Sequence, residues 1–466
     1  MTSRPATPRP VTVGPVTVGI DIGTSSVKAV AADEDGNVVA QSRIPHAIGI
    51  PAPDRFEHDA VSAWRDGPRA ALDALELEDA PAGVSVCAMV PSVAAVDGAG
   101  NPLTPGLLYG DARGVAADGR TAAVGGNPAE TAEFVSFLRW AARTAPEARG
   151  FWPATTMANH ALAGEAVIDT TTASVAYPLF DWRQWDPAVA SDIGITVEQL
   201  PRIVPTGWAC GHVGGPDGPV LAPGCIDVLT DQIVSGANAV GDVLVLMGTT
   251  VIVNTVTARH DDVPGHWVMP FTEPELFLAG GPSNAGGLFI NWATRTLGAS
   301  GGGPAPHPDR VPVWAPYPRG ERVPLHDPHR RAVLADLDLT HDAAAVRRSI
   351  FEASGFVARR MIAAAANAHG VTPRRIIATG GGTRVDEWVH ALADCTGLPV
   401  QCTKVPEGAA LGSAFLARLA AGLEEGQMTD ARRWAQPGRV IDPEPRWFEA
   451  LERRYERFLA LSGEPT

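Results

Sequence analysis

Two short segments place a glycine and two hydroxyls where an apolar strand must turn. They are Gly23-Thr24-Ser25, after "VTVGIDI", and Gly248-Thr249-Thr250, after "DVLVLM". A glycine lets the backbone approach a ligand closely, and the neighbouring amides and hydroxyls can donate to phosphate oxygens. Either segment alone is equally an ordinary hairpin turn of small residues. One in each half of the chain suggests a clamp that grips phosphates from both sides. Asp21 lies inside the strand before the first turn. A carboxylate beside phosphates can hold Mg²⁺ directly or through water, whereas an isolated buried Asp is more simply satisfied by local amides. Asp231, in "LTDQIVSG", can take a proton from a substrate hydroxyl if it faces a cleft, or can cap a helix. Asp111 and Arg113, in "LLYGDARG", can bind sugar hydroxyls or pair with each other. Gly380, Gly381 and Gly382 follow an apolar strand and permit close approach of a flat or phosphorylated ligand, or form a flexible turn. No Walker-type phosphate loop is present.

The elements that must carry these residues alternate strand and helix. Residues 16–42 read as three strands joined by "GTSS" and "EDGN". A helix is expected over 60–75, a buried strand over 83–90 and a helix over 131–144, where Phe134, Phe137, Leu138 and Ala141 keep helical spacing. "CIDVLTDQIVSGANAVG" runs from a short strand into a helix of small residues. The segments "VTVGIDIGTSSVKAV" and "DVLVLMGTTVIVNTV" share one plan, which is either a chance likeness of two hairpins or the mark of an internal duplication. A long helix is expected over 342–367, followed by strand "RIIATGGG", helix "RVDEWVHALADCTG", strand "LPVQCT" and helix "EGAALGSAFLARLAAG". This alternation indicates an α/β fold. The expected organisation is a loose tail over 1–15, an N-terminal domain over 16–240 and a C-terminal domain over 241–466.

Composition limits the alternatives. The 466 residues exceed one ordinary core, and 45% hydrophobic with 19% charged is globular. No apolar run approaches the roughly 18 residues of a membrane span. The Pro- and Arg-rich start lacks the apolar stretch of a signal peptide. Five scattered cysteines without a CxxC pair fit reduced thiols in the cytoplasm rather than disulfides or zinc. A net charge of −15 argues against broad nucleic-acid binding.

Taken together, the motifs resemble the FGGY family of carbohydrate kinases, over about residues 16 to 420. "GIDIGTSSVKAV" and "LVLMGTTVIV" look like the family's two phosphate hairpins. "LTDQIVSGANAVG" resembles the segment bearing its catalytic aspartate, and "PYPRGERVPLHDP" its Gly-Glu-Arg-x-Pro signature. "ATGGGTRVDEWVHALADCTGLPV", followed by "PEGAALGSAFLA", resembles its adenosine-binding signature. The resemblance implies two actin-like ATPase (ribonuclease H-like) domains flanking a cleft for ATP, Mg²⁺ and a sugar or polyol. It implies Asp231 as the catalytic base, Asp21 at the metal, both Gly-Thr hairpins at the phosphates, and Gly380, Gly381 and Gly382 at the nucleotide. Asp111, Arg113, Asp231 and Gln232 would meet the substrate, with Met89 and Val90 beside it. Homodimers are common in such folds, but no interface signature is visible.

Within the family the strongest resemblance is to xylulose kinases. "RFEHD" (55–59) and "YGDAR" (109–113) sit where that subgroup has Trp-x-Glu-x-Asp and Trp-x-Asp-x-Arg. The subgroup's Gln-Met-His-Gly substrate loop falls on Met89, Val90, Pro91 and Ser92. Losing the Gln and His removes two hydrogen-bonding groups from the sugar side. A site that cannot pair a substrate hydroxyl discriminates poorly for it. On the subgroup resemblance D-xylulose is still the first expectation for the acceptor, with ribulose, erythritol or glycerol behind it. An actin-like ATP-binding protein without an acceptor is the alternative.

Overall fold

A computed structural model describes residues 14–52, 55–114, 130–181, 183–270, 275–299, 306–327, 329–424 and 428–463. Of the tail expected over residues 1–15, only Gly14 and Pro15 lie within the described residues. The apolar runs of the sequence become strands buried on both faces, as a sheet covered by helices requires. Thr17–Ile22 and Asp242–Met247 are buried at every position. Each pairs antiparallel with the strand across its Gly-Thr turn, Ser26–Ala32 and Val251–Thr257.

Two sheets repeat one plan. The first runs, in spatial order, Val38–Pro45, Ser26–Ala32, Thr17–Ile22, Gly83–Ala88, Val220–Ile226 and Gly211–His212. The second runs Trp267–Pro270, Phe277–Ser283, Val251–Thr257, Asp242–Met247, Arg375–Thr379, Val400–Thr403 and Pro437–Ile441. In both, the Gly-Thr hairpin pairs with a third antiparallel strand, and the hairpin's first strand pairs parallel with a fourth. A fifth strand lies parallel beside the fourth. The duplication read from two short motifs thus extends to five strands on each side.

Helices follow the expected order. The long one spans Ala343–His369, starting where Asp342 accepts from the Ala345 amide at 2.8 Å and ending at Gly370 in the left-handed region. Strands of the first sheet all precede residue 240 and those of the second all follow it, but the helices do not divide there. Gly408–Ala420, late in the chain, packs on Thr17–Ile22 and Gly83–Ala88 of the first sheet. Its small residues allow contact close enough that a Cβ added at Gly19 would lie 1.8 Å from the Ala410 carbonyl oxygen. Thr17 Oγ1 donates to the Ala414 carbonyl at 2.9 Å, and Ser413 and Ser85 hydroxyls meet at 3.1 Å. One core cluster consequently joins Val30 and Ala32 to Leu244, Leu246 and Ile377 through Ala410 and Phe415. A smaller sheet that includes Arg55–His58, Ser92–Val96 and Gly106–Leu108 sits beside the first and carries one wall of the cleft described next. Among the described residues, no helix is long and apolar enough to cross a membrane.

Candidate active site

Both hairpin turns open onto a single cleft of about 790 Å³. Asp21, Gly23, Thr24, Ser25, Met89, Val90, Asp231, Gly248, Thr249, Thr250, Gly380, Gly381 and Gly382 all line it. In the first turn the Gly23 amide donates to the Ser26 carbonyl at 3.1 Å, which closes a tight bend. In the second, the Gly248 amide donates to the Thr250 carbonyl at 3.0 Å. The second turn is also strapped to the helix Gly287–Thr296, whose Gly287 and Leu288 amides donate to the Gly248 and Thr249 carbonyls at 2.9 and 3.0 Å. Gly286 makes that strap possible, since a Cβ there would lie 2.2 Å from the Thr250 carbonyl carbon.

The three glycines after Arg375–Thr379 differ in what they require. Gly380 has φ +91, which favours glycine. A Cβ on Gly382 would lie 2.4 Å from the Trp388 ring. A Cβ on Gly381 would meet nothing within 4 Å, so this glycine alone presents an open face to the cleft.

Asp231 sits inside the helix Asp227–Ser235. The helix begins four residues earlier, so Asp231 does not cap it. It is 7% exposed, and its Oδ1 accepts from the Thr379 hydroxyl at 3.2 Å. Burial, then the nearby charges of Asp21 and Asp227, push its pKa well above the ordinary carboxylate range. Asp227, one turn earlier on the same face, is half-buried and raised to about 7, first by burial and then by Asp21. Lys28 answers this negative charge: its ammonium lies 3.1 Å from Asp21 Oδ2, and its pKa is raised chiefly by Asp21. Asp231 is also approached from the crossing helix Gly408–Ala420, where a Cβ on Gly408 would lie 2.2 Å from its Oδ1.

Mg²⁺ takes one or two carboxylates and fills its remaining positions with phosphate oxygens and water. No cluster of three or more His, Cys, Asp or Glu able to hold a metal exists among the described residues. Asp21 on the cleft wall, beside a phosphate-type turn and paired with Lys28, fits an ion that arrives bound to phosphates rather than one held in a protein cage.

The remaining sequence candidates do not reach the cleft wall. Asp111 is 1% exposed and committed to its own neighbours. It accepts from the Phe56 amide at 2.8 Å and from the Arg113 guanidinium at 2.7 Å. Arg113 also donates to Glu57 at 2.7 Å. Of the two readings of this pair, the structure forms the mutual ion pair. Gln232 is buried with neither amide atom partnered, on the helix face beside Asp231. Conversely, Lys28, Tyr109, Asp227, Arg322 and Glu407 line the cleft without having been assigned a role. Two of these had a signal in the sequence. Lys28 is the cross-strand partner of Asp21 in the hairpin, and Asp227 is one helical turn before Asp231. The contact by which the crossing helix brings Gly408 to Asp231 had none, although the helix itself was expected.

Comparison with known proteins gives the family. Residues 16–216 match the N-terminal domain, and residues 243–421 the C-terminal domain, of the FGGY family of carbohydrate kinases. The autoinducer-2 kinase of Enterobacter sp. (strain 638) is 25% identical, over 95% of this chain and 93% of its own. A xylulose kinase from Rhodospirillum rubrum is similar in structure with a TM-score of 0.77 and 26% identity, over 96% of this chain and 98% of its own. A xyloylose kinase from Brucella ovis gives 0.81 at 23% identity, over 96% and 98%.

Proposed function

The chain belongs to the FGGY family of carbohydrate kinases, and on that premise we propose that it transfers the γ-phosphoryl group of ATP to a hydroxyl of a small ketose, D-xylulose first, with Asp231 as the base. The observation that carries this reading is the placement of Asp231. It is a buried carboxylate of raised pKa in the same cleft as both Gly-Thr turns. A raised pKa makes the carboxylate a better proton acceptor in its ionised form. The acceptor hydroxyl gives its proton to Asp231, and its oxygen bonds to the γ-phosphorus as the bond to the bridging oxygen of ADP breaks. The Gly23–Ser25 and Gly248–Thr250 turns hold the phosphates in line, and Gly380, Gly381 and Gly382 receive the nucleoside, Gly381 with its open face. Phosphoryl transfer depends mainly on such positioning and on charge stabilisation. Mg²⁺ bound with ATP would neutralise phosphate charge, and Asp21 is the residue that would hold it. Five unpaired cysteines support a cytoplasmic setting.

Likeness to the R. rubrum xylulose kinase supports the ketose assignment. A second reading, an acceptor of the autoinducer-2 kind, is favoured by the Enterobacter relative and by the apolar Met89–Val90 wall, which offers no side-chain hydrogen bond to a sugar hydroxyl. Release of ADP, measured with D-xylulose, D- and L-ribulose, erythritol, glycerol and autoinducer-2, separates the two. The highest kcat/KM is expected with D-xylulose. Turnover with autoinducer-2 and none with D-xylulose would replace the first reading by the second.

A further inference from the structure

We infer that Tyr109 is a further catalytic residue of this reaction, its phenol donating a hydrogen bond to the phosphoryl group as that group crosses the cleft. The inference rests on the assignment of the two Gly-Thr turns to the phosphates. It does not depend on which acceptor is used.

The position of the phenol oxygen carries the case. It lies 3.0 Å from Thr24 Oγ1 of the first turn and 3.5 Å from Thr249 Oγ1 of the second. The phenol oxygen thus joins the side chains of the two turns through one atom. A group gripped by both turns passes the point where this oxygen sits. Both threonines can donate as well as accept, so either can satisfy the phenol oxygen as acceptor and leave its single proton for a phosphoryl oxygen. Charge in the transition state spreads over the equatorial oxygens of that group, where a preplaced donor acts most strongly.

The surroundings hold the ring in place from several sides. The Arg322 guanidinium, from the second half of the chain, stacks 5.1 Å from the ring centroid. Arg322 is in turn held by its amide, which donates to the buried Glu321 at 2.7 Å. Gly110, at φ +82, makes the turn that sends Tyr109 one way and Asp111 the other. The Asp111–Arg113 pair, with the Phe56 amide, then locks that turn. On the far side, the Thr24 carbonyl accepts from His58 Nε2 at 2.9 Å. His58 Nδ1 accepts from the Trp64 indole at 3.0 Å, which fixes the tautomer that donates to Thr24. The Asp111–Arg113 pair thereby forms part of the mounting for a phenol aimed at the phosphates.

The test compares the wild-type chain with Tyr109→Phe, which keeps the ring, its packing and the Arg322 stack and removes only the hydroxyl. The probe is ADP with aluminium fluoride and Mg²⁺, a mimic of the transferring phosphoryl group, titrated by calorimetry beside ADP alone. The variant's affinity for ADP–aluminium fluoride is expected to fall about 10- to 100-fold, the loss of one hydrogen bond to a charged group, with ADP affinity within about threefold. With any acceptor that turns over, kcat should fall by a similar factor while the acceptor KM holds. Equal affinity of the two proteins for ADP–aluminium fluoride would overturn the inference. So would a loss of ADP affinity as large as the loss for the mimic, which would mean that the phenol only ties the turns together. Because the titration contains no acceptor, a wrong acceptor assignment leaves its outcome unchanged.

Discussion

Asp227→Asn should make the protein more stable at pH 8 and leave it unchanged near pH 4. Asp227 is half-buried on the cleft wall and has a pKa of about 7 against an ordinary value of 3.8, chiefly through burial and then through Asp21. A folded pKa above the unfolded one means that the native state holds the proton more tightly. This group's contribution is therefore most favourable below the unfolded value and is lost as pH rises towards about 7. Three units at about 1.4 kcal/mol each set an upper limit of about 4 kcal/mol for the strain of ionising it in place. Because the carboxylate reaches the cleft and its water, roughly half of that, about 2 kcal/mol, is the reasonable expectation. The asparagine oxygen can still accept from the Val228 amide, now 2.7 Å from Asp227 Oδ1, so the helix start is preserved. Differential scanning calorimetry should show the variant's Tm about 2 °C above wild type at pH 8, converging towards pH 4. Other raised groups, Glu321 among them, titrate in both proteins and largely cancel in the difference. A variant less stable than wild type at pH 8, or a difference independent of pH, would refute the reasoning. Removing this charge also lowers the pKa of Asp231, so the acidic limb of the kcat/KM profile should move to lower pH.

Two further substitutions probe the crossing helix. Gly408→Ala puts a methyl 2.2 Å from Asp231 Oδ1, so kcat should fall at least about tenfold while calorimetric ADP affinity holds; unchanged kcat would show that Asp231 can move without cost. Gly19→Ala drives a methyl to 1.8 Å from the Ala410 carbonyl oxygen between two fixed backbones, and a loss of about 3 kcal/mol or more should appear as a lowered Tm; a wild-type Tm would contradict the close packing described.

Local patterns made much of this molecule legible. Both Gly-Thr hairpins, the helix bearing Asp231 and the glycine turn at 380–382 stand where apolar runs and turn residues place them. The shared motif foretold the repeated sheet plan because a hairpin's register follows from its turn. What stayed hidden was contact over long sequence distance. Gly19, Ser85 and Thr17 look like ordinary strand residues until Gly408–Ala420 is laid against them. Asp111 and Arg113 read as candidates for sugar because two charges after an apolar run attract that reading. Only the fold shows the Phe56 amide and Glu57 completing their bonds. In the sequence Tyr109 shows only as the residue at the subgroup's first Trp-x-Asp-x-Arg position, since its bonds run to Thr24 and Thr249, which the sequence sets far apart.

The most direct test of the central assignment is Asp231→Asn, assayed for acceptor-dependent ADP release beside calorimetric titration of ATP. Asparagine keeps the size and the bond from Thr379 but cannot take the proton. Transfer should fall by at least about a hundredfold, with ATP affinity within about threefold of wild type. Acceptor-dependent turnover that survives the substitution would contradict Asp231 as the base.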